Sequence, residues 1–298
     1  MNWQTEIPIL LKSAMEDFRR NKIRTFLTSL GIMIGVMSVV LLIAMGLGLK
    51  NYIAGQFESL GANLILILPG SGFGGGGGGG AGLVGGAEFD ERDVQSLRRI
   101  PEIEYLVPTY FRSTQVGSEK DKKLGYIMGV NEEGWKLLNL EAEVGELWGR
   151  EEVQSRAKKA VLGYSLADDL FDLPEDALGK TIRLENQRFT VIGLIKKKGD
   201  NETDHGIFIP YTTTFGSINP KKTFWSIYLG VLKDSDVSLV KQEAKDVLLK
   251  RYKEDKFSVT EQAEILSTVN QIFSVVNLVL LAIGSISLLV GGIGIMNI

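Results

Sequence analysis

The sequence predicts an α+β extracytoplasmic domain inserted between two transmembrane α-helices. Three features predict it: long uncharged apolar stretches near both ends of the 298 residues, a basic cluster just before the first, and alternating short strands and helices between them.

Residues 1–24 form the first element. Ile7, Leu10, Leu11, Ala14, Met15 and Phe18 recur at helical spacing, with Lys12, Glu16, Asp17, Arg19 and Arg20 opposite and Pro8 suited to a first turn. The pattern predicts an amphipathic elbow helix along the inner face of a bilayer. Residues 25–49, TFLTSLGIMIGVMSVVLLIAMGLGL, carry no charge. At about 1.5 Å per residue they make a helix of roughly 37 Å, enough to cross a hydrocarbon core of about 30 Å. A buried helix of a soluble protein would carry charge on one face, and a secretory signal has a shorter apolar region. Arg19, Arg20, Lys22 and Arg24 precede this span, whereas only Lys50 follows in the next 40 residues. The positive-inside rule therefore puts the N-terminus in the cytoplasm and residues 50–264 outside, in a multi-pass protein of the cell membrane. Lys250, Arg251, Lys253 and Lys256 fall near the second span on the outer side, but long domains cross regardless of such charge.

In the domain, strands are expected at 62–68, 103–110, 124–130, 159–164, 180–185, 188–196, 205–210 and 224–232, and helices at 90–100, 131–140, 165–171 and 235–252. Val237, Val240, Ala244, Val247 and Leu248 give the last helix one apolar stripe, and Glu185 to Gln187 turn a hairpin. After Glu264 the chain is again uncharged, so residues 265–298 read as a stalk and a second span. Gly31-x-x-x-Gly35 in the first span and Ser287-x-x-x-Gly291 in the second are small-residue spacings that let helices approach closely.

Several motifs tempt toward chemistry and fail on context. Gly70, Gly72 and Gly75 spell a dinucleotide-type glycine pattern after a strand, with Glu88 or Asp90 near a ribose-binding distance. That site needs a helix opening at the third glycine, yet 12 of the 17 residues from 70 to 86 are glycine, which reads as a flexible loop. PEDALGKT, residues 174–181, misses a phosphate loop because Pro174 replaces the first glycine and a strand follows. Asp168 and Asp169 are adjacent and point apart on a helix, His205 stands alone at a loop edge, and Asn201-Glu202-Thr203 is a sequon relevant only in a eukaryotic secretory route. One histidine and no cysteine remove most metal, thiol and histidine-triad chemistry. The net charge of −3 shows no basic excess for nucleic acid. No catalytic, cofactor-binding or metal residue is assigned, and no cofactor is expected.

With these residues assembled, the chain resembles the permease of MacB-like ABC transporters, a superfamily that includes the FtsX-like permeases. RRNKIRTFLTSLGIMIGV, LGANLILILPGS (60–71), AVLGYSLADDLF, Pro174 before LGKTIRL, FTVIGLI, GIFIPYTT and GGIGIMNI carry the likeness in order. The resemblance implies four spans with the periplasmic core domain between the first two, so this chain is expected to stop inside the second. It implies an ABC ATPase on a separate subunit or domain, a second permease subunit in a homo- or heterodimer, and a periplasmic adaptor as a further partner. It also implies export of a drug, peptide or lipoprotein, driven by motion passed from the cytoplasm to the outer domain, with no enzymatic step on this chain. A two-span receptor with an extracytoplasmic ligand-sensing domain has the same topology and is the alternative.

Overall fold

The computed structural model describes residues 22–58, 63–70, 85–118, 122–233 and 235–296. The elbow helix, Arg19, Arg20, Gly72 and Gly75 lie outside them. The described chain divides into two compact units, one ending at Gly55 and resuming at Ser267, the other running from Gln56 to Leu266.

The first unit is two apolar helices. Helix α1 spans Lys22–Glu58, continuing through Lys50 without a break, and the second, introduced below as α9, spans Gln262–Met296. Each holds a 25-residue stretch long and apolar enough to cross a membrane, Ser29–Ile53 and Gln262–Ile286. Their side chains face outward: Met33, Met37, Val40, Leu41, Leu278 and Leu281 are all exposed. Water does not tolerate so much contiguous apolar surface, whereas lipid does. The hydroxyls of Ser38, Ser274 and Ser285 bond back to carbonyls one turn earlier, so none requires water. The helices meet where glycine leaves room. A Cβ at Gly284 would lie 3.0 Å from Val39 Cγ2, and one at Gly46 3.9 Å from the Phe273 ring.

The second unit is built on a sheet of ten strands among the described residues. These are β1 (Leu64–Pro69), β2 (Ile103–Gly117), β3 (Lys122–Val130), β4 (Ala142–Gly145), β5 (Lys159–Leu162), β6 (Thr181–Leu184), β7 (Gln187–Ile195), β8 (Gly206–Pro210), β9 (Ser226–Val231) and β10 (Phe257–Glu261). Their order is β10-β1-β9-β2-β3-β8-β5-β7-β4, with β6 bridging β2 and β7. Only β3 with β8 and β5 with β7 pair in parallel. The helices of eight or more residues reduce here to one, Val237–Leu249; the others are short: α2 (Glu91–Leu97), α3 (Gly134–Leu137), α4 (Arg150–Ser155), α5 (Tyr164–Leu170), α6 (Asn201–Asp204) and α7 (Tyr211–Thr214), before α8 (Val237–Leu249) and α9.

Strand β2 joins two lobes. Its first half pairs with β9 and its second half with β3, so one 15-residue strand serves two cores. In the first lobe, Ile65, Ile67, Leu106, Ile227 and Leu229 from the sheet meet Val94 and Leu97 of α2 and Val240, Ala244 and Leu248 of α8. That last trio, with Val237 and Val247 packed against the same core, is the apolar stripe read from the sequence. In the second lobe, Ile182, Leu184, Phe189 and Val191 pack under Leu166, Ala167 and Leu170 of α5. Its other face holds Trp135 and Trp148, rings 4.5 Å apart, the Trp135 indole donating to the Trp148 carbonyl. The expected helix at 131–140 is only the single turn α3, because Asn139 takes a left-handed φ of 49° and ends it.

Candidate functional site: the strand-to-helix junction

The candidate site is the place where the last strand of the domain runs directly into an apolar helix. Strand β10 pairs along its length with β1, from Phe257 opposite Pro69 to Glu261 opposite Ile65. Gln262 begins α9 with no intervening loop, and the helix is unbroken to Met296. Pairing to β1, itself buried on both faces, fixes the base of the helix.

Two side chains complete that fixing. Ile265, in the first turn, is 4% exposed and packs on Leu66 and Leu68, the β1 residues facing away from α2 and α8. Glu264 reaches back so that its Oε2 accepts from the Glu261 amide at 3.2 Å, satisfying a donor that a helix start leaves free. Its Oε1 takes Lys241 of α8 at 2.5 Å, and the same ammonium lies 3.6 Å from Glu261 Oε1.

The far end of α8 is tied as firmly. Arg251 meets Asp90 through two parallel contacts of 2.9 Å and reaches Asp93 Oδ1 at 2.5 Å. Asp90 caps α2, accepting from the amides of Arg92 and Asp93, while Asp93 accepts from the Asp90 amide. Asp93 is 1% exposed, and the Tyr252 hydroxyl lies 2.8 Å from its Oδ2. The guanidinium holds the Asp90 carboxyl below the usual carboxylate range, and burial pushes the Tyr252 hydroxyl up. From α2, Arg98 pairs with Glu133 beside α3 at 3.0 Å, and Glu91 accepts from Tyr211 of α7 at 3.3 Å, linking the two lobes. Burial pushes the Tyr211 hydroxyl up to about 12.

The residues singled out from the sequence fall as follows. Lys22 and Arg24 start α1; Gly31 and Gly35 lie on it, and a Cβ at Gly31 would meet nothing within 4 Å. Ser287 and Gly291 lie on α9. The acids once tempting as ribose ligands are engaged elsewhere, Glu88 with Lys221 and Asp90 with Arg251. Gly70 takes φ 70° after β1 and donates to the Lys256 carbonyl at 2.8 Å. Ala87 donates to the same carbonyl at 2.6 Å, and a Cβ on Gly86 would sit 2.3 Å from the Gly70 nitrogen. Both ends of the glycine-rich segment thus meet at one point beside β10.

Residues 174–177 form a short 3-10 turn, Gly179 takes φ 73°, and β6 follows, so the near-phosphate-loop sequence is a turn into a hairpin. His205 contacts the Asn201 carbonyl and lies 3.6 Å from Asp169, while Asn201 donates to the Tyr126 hydroxyl. Sequence reasoning missed β10, although Phe257 and Val259 alternate with Ser258 and Thr260. It also missed β4 and α4, both very short. Lys241, Glu264 and Arg251 carried no local signal, since their partners are brought by the fold.

Comparison with known proteins agrees with this architecture. A family model described as the MacB-like periplasmic core domain matches residues 25–247. The macrolide export ATP-binding/permease protein MacB of Chlorobaculum tepidum is 32% identical over 270 residues, covering 87% of this chain and 41% of that protein. The pyoverdine export ATP-binding/permease protein PvdT of Pseudomonas savastanoi pv. phaseolicola is 31% identical over 227 residues, 74% of this chain and 33% of that protein. The crystal structure of the periplasmic region of MacB from Actinobacillus actinomycetemcomitans superposes with a TM-score of 0.63 at 20% identity, covering 72% of this chain and 95% of that one, which shows a shared fold. This is a chain of the ABC exporter permease class. It belongs to the family of the MacB-like periplasmic core domain. The chain spans less than half the length of these curated relatives. Family membership does not favour the two-span receptor.

Proposed function

We propose that this chain is the part of an ABC export permease that carries motion from membrane spans to an outer domain. Residues 1–24 are the cytoplasmic elbow, 25–49 the first span, 50–264 the extracytoplasmic domain, and 265–298 the stalk and second span. The basic cluster Arg19, Arg20, Lys22 and Arg24 holds the N-terminus inside the cell. An ABC ATPase supplies the energy from another subunit or domain, and a second permease subunit packs through small-residue faces at Gly31, Gly35, Ser287 and Gly291. An adaptor outside the membrane receives the cargo. The relatives named for macrolide and for pyoverdine export suggest a small-molecule substrate, within the wider class of drugs, peptides and lipoproteins.

One observation carries the reading: α9 is a single unbroken helix whose first turn belongs to the sheet and whose remainder is apolar enough to lie in a membrane. A helix without proline or glycine before Gly284 is a stiff rod. Proline at position 269 tests it, because a mid-helix proline costs about 3 kcal/mol and breaks the rod. In the complete transporter in proteoliposomes, Val269→Pro is expected to insert and hydrolyse ATP while efflux of a radiolabelled macrolide falls about tenfold or more. Efflux at the parental rate overturns the reading.

A further inference from the structure

Resting on that reading, we infer that Lys241 and Arg251 are positioning residues that make α8 the lever of the domain, coupling α9 to α2 and so to the second lobe.

The argument begins with where α8 is held. Its apolar stripe, Val240, Ala244 and Leu248, binds it to the sheet along its length, but apolar contacts allow a helix to slide because they are non-directional. Direction comes from its charged ends. Lys241, in the N-terminal half, lies with its ammonium between Glu261, the last residue of β10, and Glu264, in the first turn of α9. All three side chains are at most half exposed, and the Lys241 side chain is 24% exposed, which strengthens its attraction over that of a solvated surface pair. Glu264 also caps the start of α9, so a displacement of that turn pulls Lys241 and the cap together.

At the other end Arg251, just past α8, grips Asp90 and Asp93, the reciprocal cap of α2. Helix α2 in turn reaches the second lobe through Arg98 to Glu133 and Glu91 to Tyr211. The carbonyl of Lys256, between Arg251 and β10, also gathers Gly70 and Ala87. Thus one helix carries ionic ties to the base of α9 at one end and to the cap of α2 at the other. Lys241 is the tie on the driven side. Without it, Glu261 and Glu264 repel each other across the joint, and the hold of Ile265 and of the β10 pairing on α9 lacks its ionic tie to α8.

The test uses the complete transporter, with a spin label attached at Lys250→Cys on each copy; the 298 residues hold no native cysteine. Lys250 is exposed at the end of α8 and outside the ties. The label-to-label distance is read without nucleotide and after trapping with ATP and vanadate. The unmodified permease is expected to change distance between the two states. Lys241→Met, which keeps the apolar stem, is expected to reduce that change by about half or more while ATP hydrolysis and the thermal midpoint stay near parental. The exchanged pair Lys241→Glu with Glu264→Lys is expected to restore part of it. A Lys241→Met change equal to the parental one overturns the lever while leaving the force-transmission reading intact. No change in the unmodified permease overturns both.

Discussion

Strand β1 and helix α1 are both strongly apolar, and they meet opposite fates. In β1 every residue of LILILP is buried, with Ile65 and Ile67 fully enclosed between the sheet and α2 and α8. In α1 the side chains of Met33, Met37, Val40 and Leu41 stand out in the open, each more than half exposed. The same composition therefore serves two solvents. A strand of six residues can be covered by protein on both faces, whereas a helix of 37 residues with most of its apolar side chains uncovered needs a solvent that is itself apolar.

The sharpest way to break the comparison is to put a charge in each. Ile67→Asp buries a carboxylate with no partner among apolar residues, so the domain is expected to lose more than about 4 kcal/mol and fail to unfold cooperatively in urea. Leu41→Arg is expected to leave the domain's urea midpoint unchanged and to raise the cost of membrane insertion by about 2.5–3.5 kcal/mol, read as loss of carbonate-resistant protein from vesicles. If Leu41→Arg shifted the urea midpoint instead, α1 would be covered by protein, not lipid.

A smaller effect concerns how polar groups hold what apolar ones fill. Asp90 is kept charged by Arg251, so its share of stability is whole above the usual carboxylate range and drains away as pH falls through the lowered value. Asp90→Asn is expected to cost about 1–2 kcal/mol at neutral pH and to flatten the acid side of a thermal-midpoint-against-pH curve. An acid limb identical to the parental one would mean that Arg251 does not discriminate the two protonation states.

The smallest effect is expected where the chain is richest in glycine. Because the backbones of Gly70 and Gly86 already lie side by side, excision of residues 71–84, which joins Gly70 to Gly85, closes a short gap. Loop closure changes by only about 0.6 kcal/mol per doubling of length, so the thermal midpoint is expected to move little. Gly86→Ala is the contrasting control, since its Cβ has no room and the midpoint is expected to drop.

The elements legible in the sequence were those whose signal is local. The strands at β1, β3, β7 and β8 and the stripe on α8 announced themselves by periodicity, and Pro174 with the strand after it set the segment before β6 apart from a phosphate loop. Strand β10 was overlooked beside the strongly apolar helix that follows it, and β4 is an edge strand of four residues with little burial. The joint was the least legible feature. Lys241 is 23 residues from Glu264, and Arg251 is 161 from Asp90, so no spacing rule links them.

By itself the sequence determined that two long apolar helices bracket an α+β domain, because apolar length and charge placement act within a few residues of each other. It also supplies the expectation that the glycine run holds no nucleotide, because a phosphate needs a helix start that glycine does not form. Only the tertiary structure decided that β1 is sheathed on both sides while α1 stays bare, that β2 serves two lobes, and that α8 is pinned between α9 and α2. Those outcomes depend on contacts between residues far apart in the chain, whose meeting is set by how the whole sheet pairs.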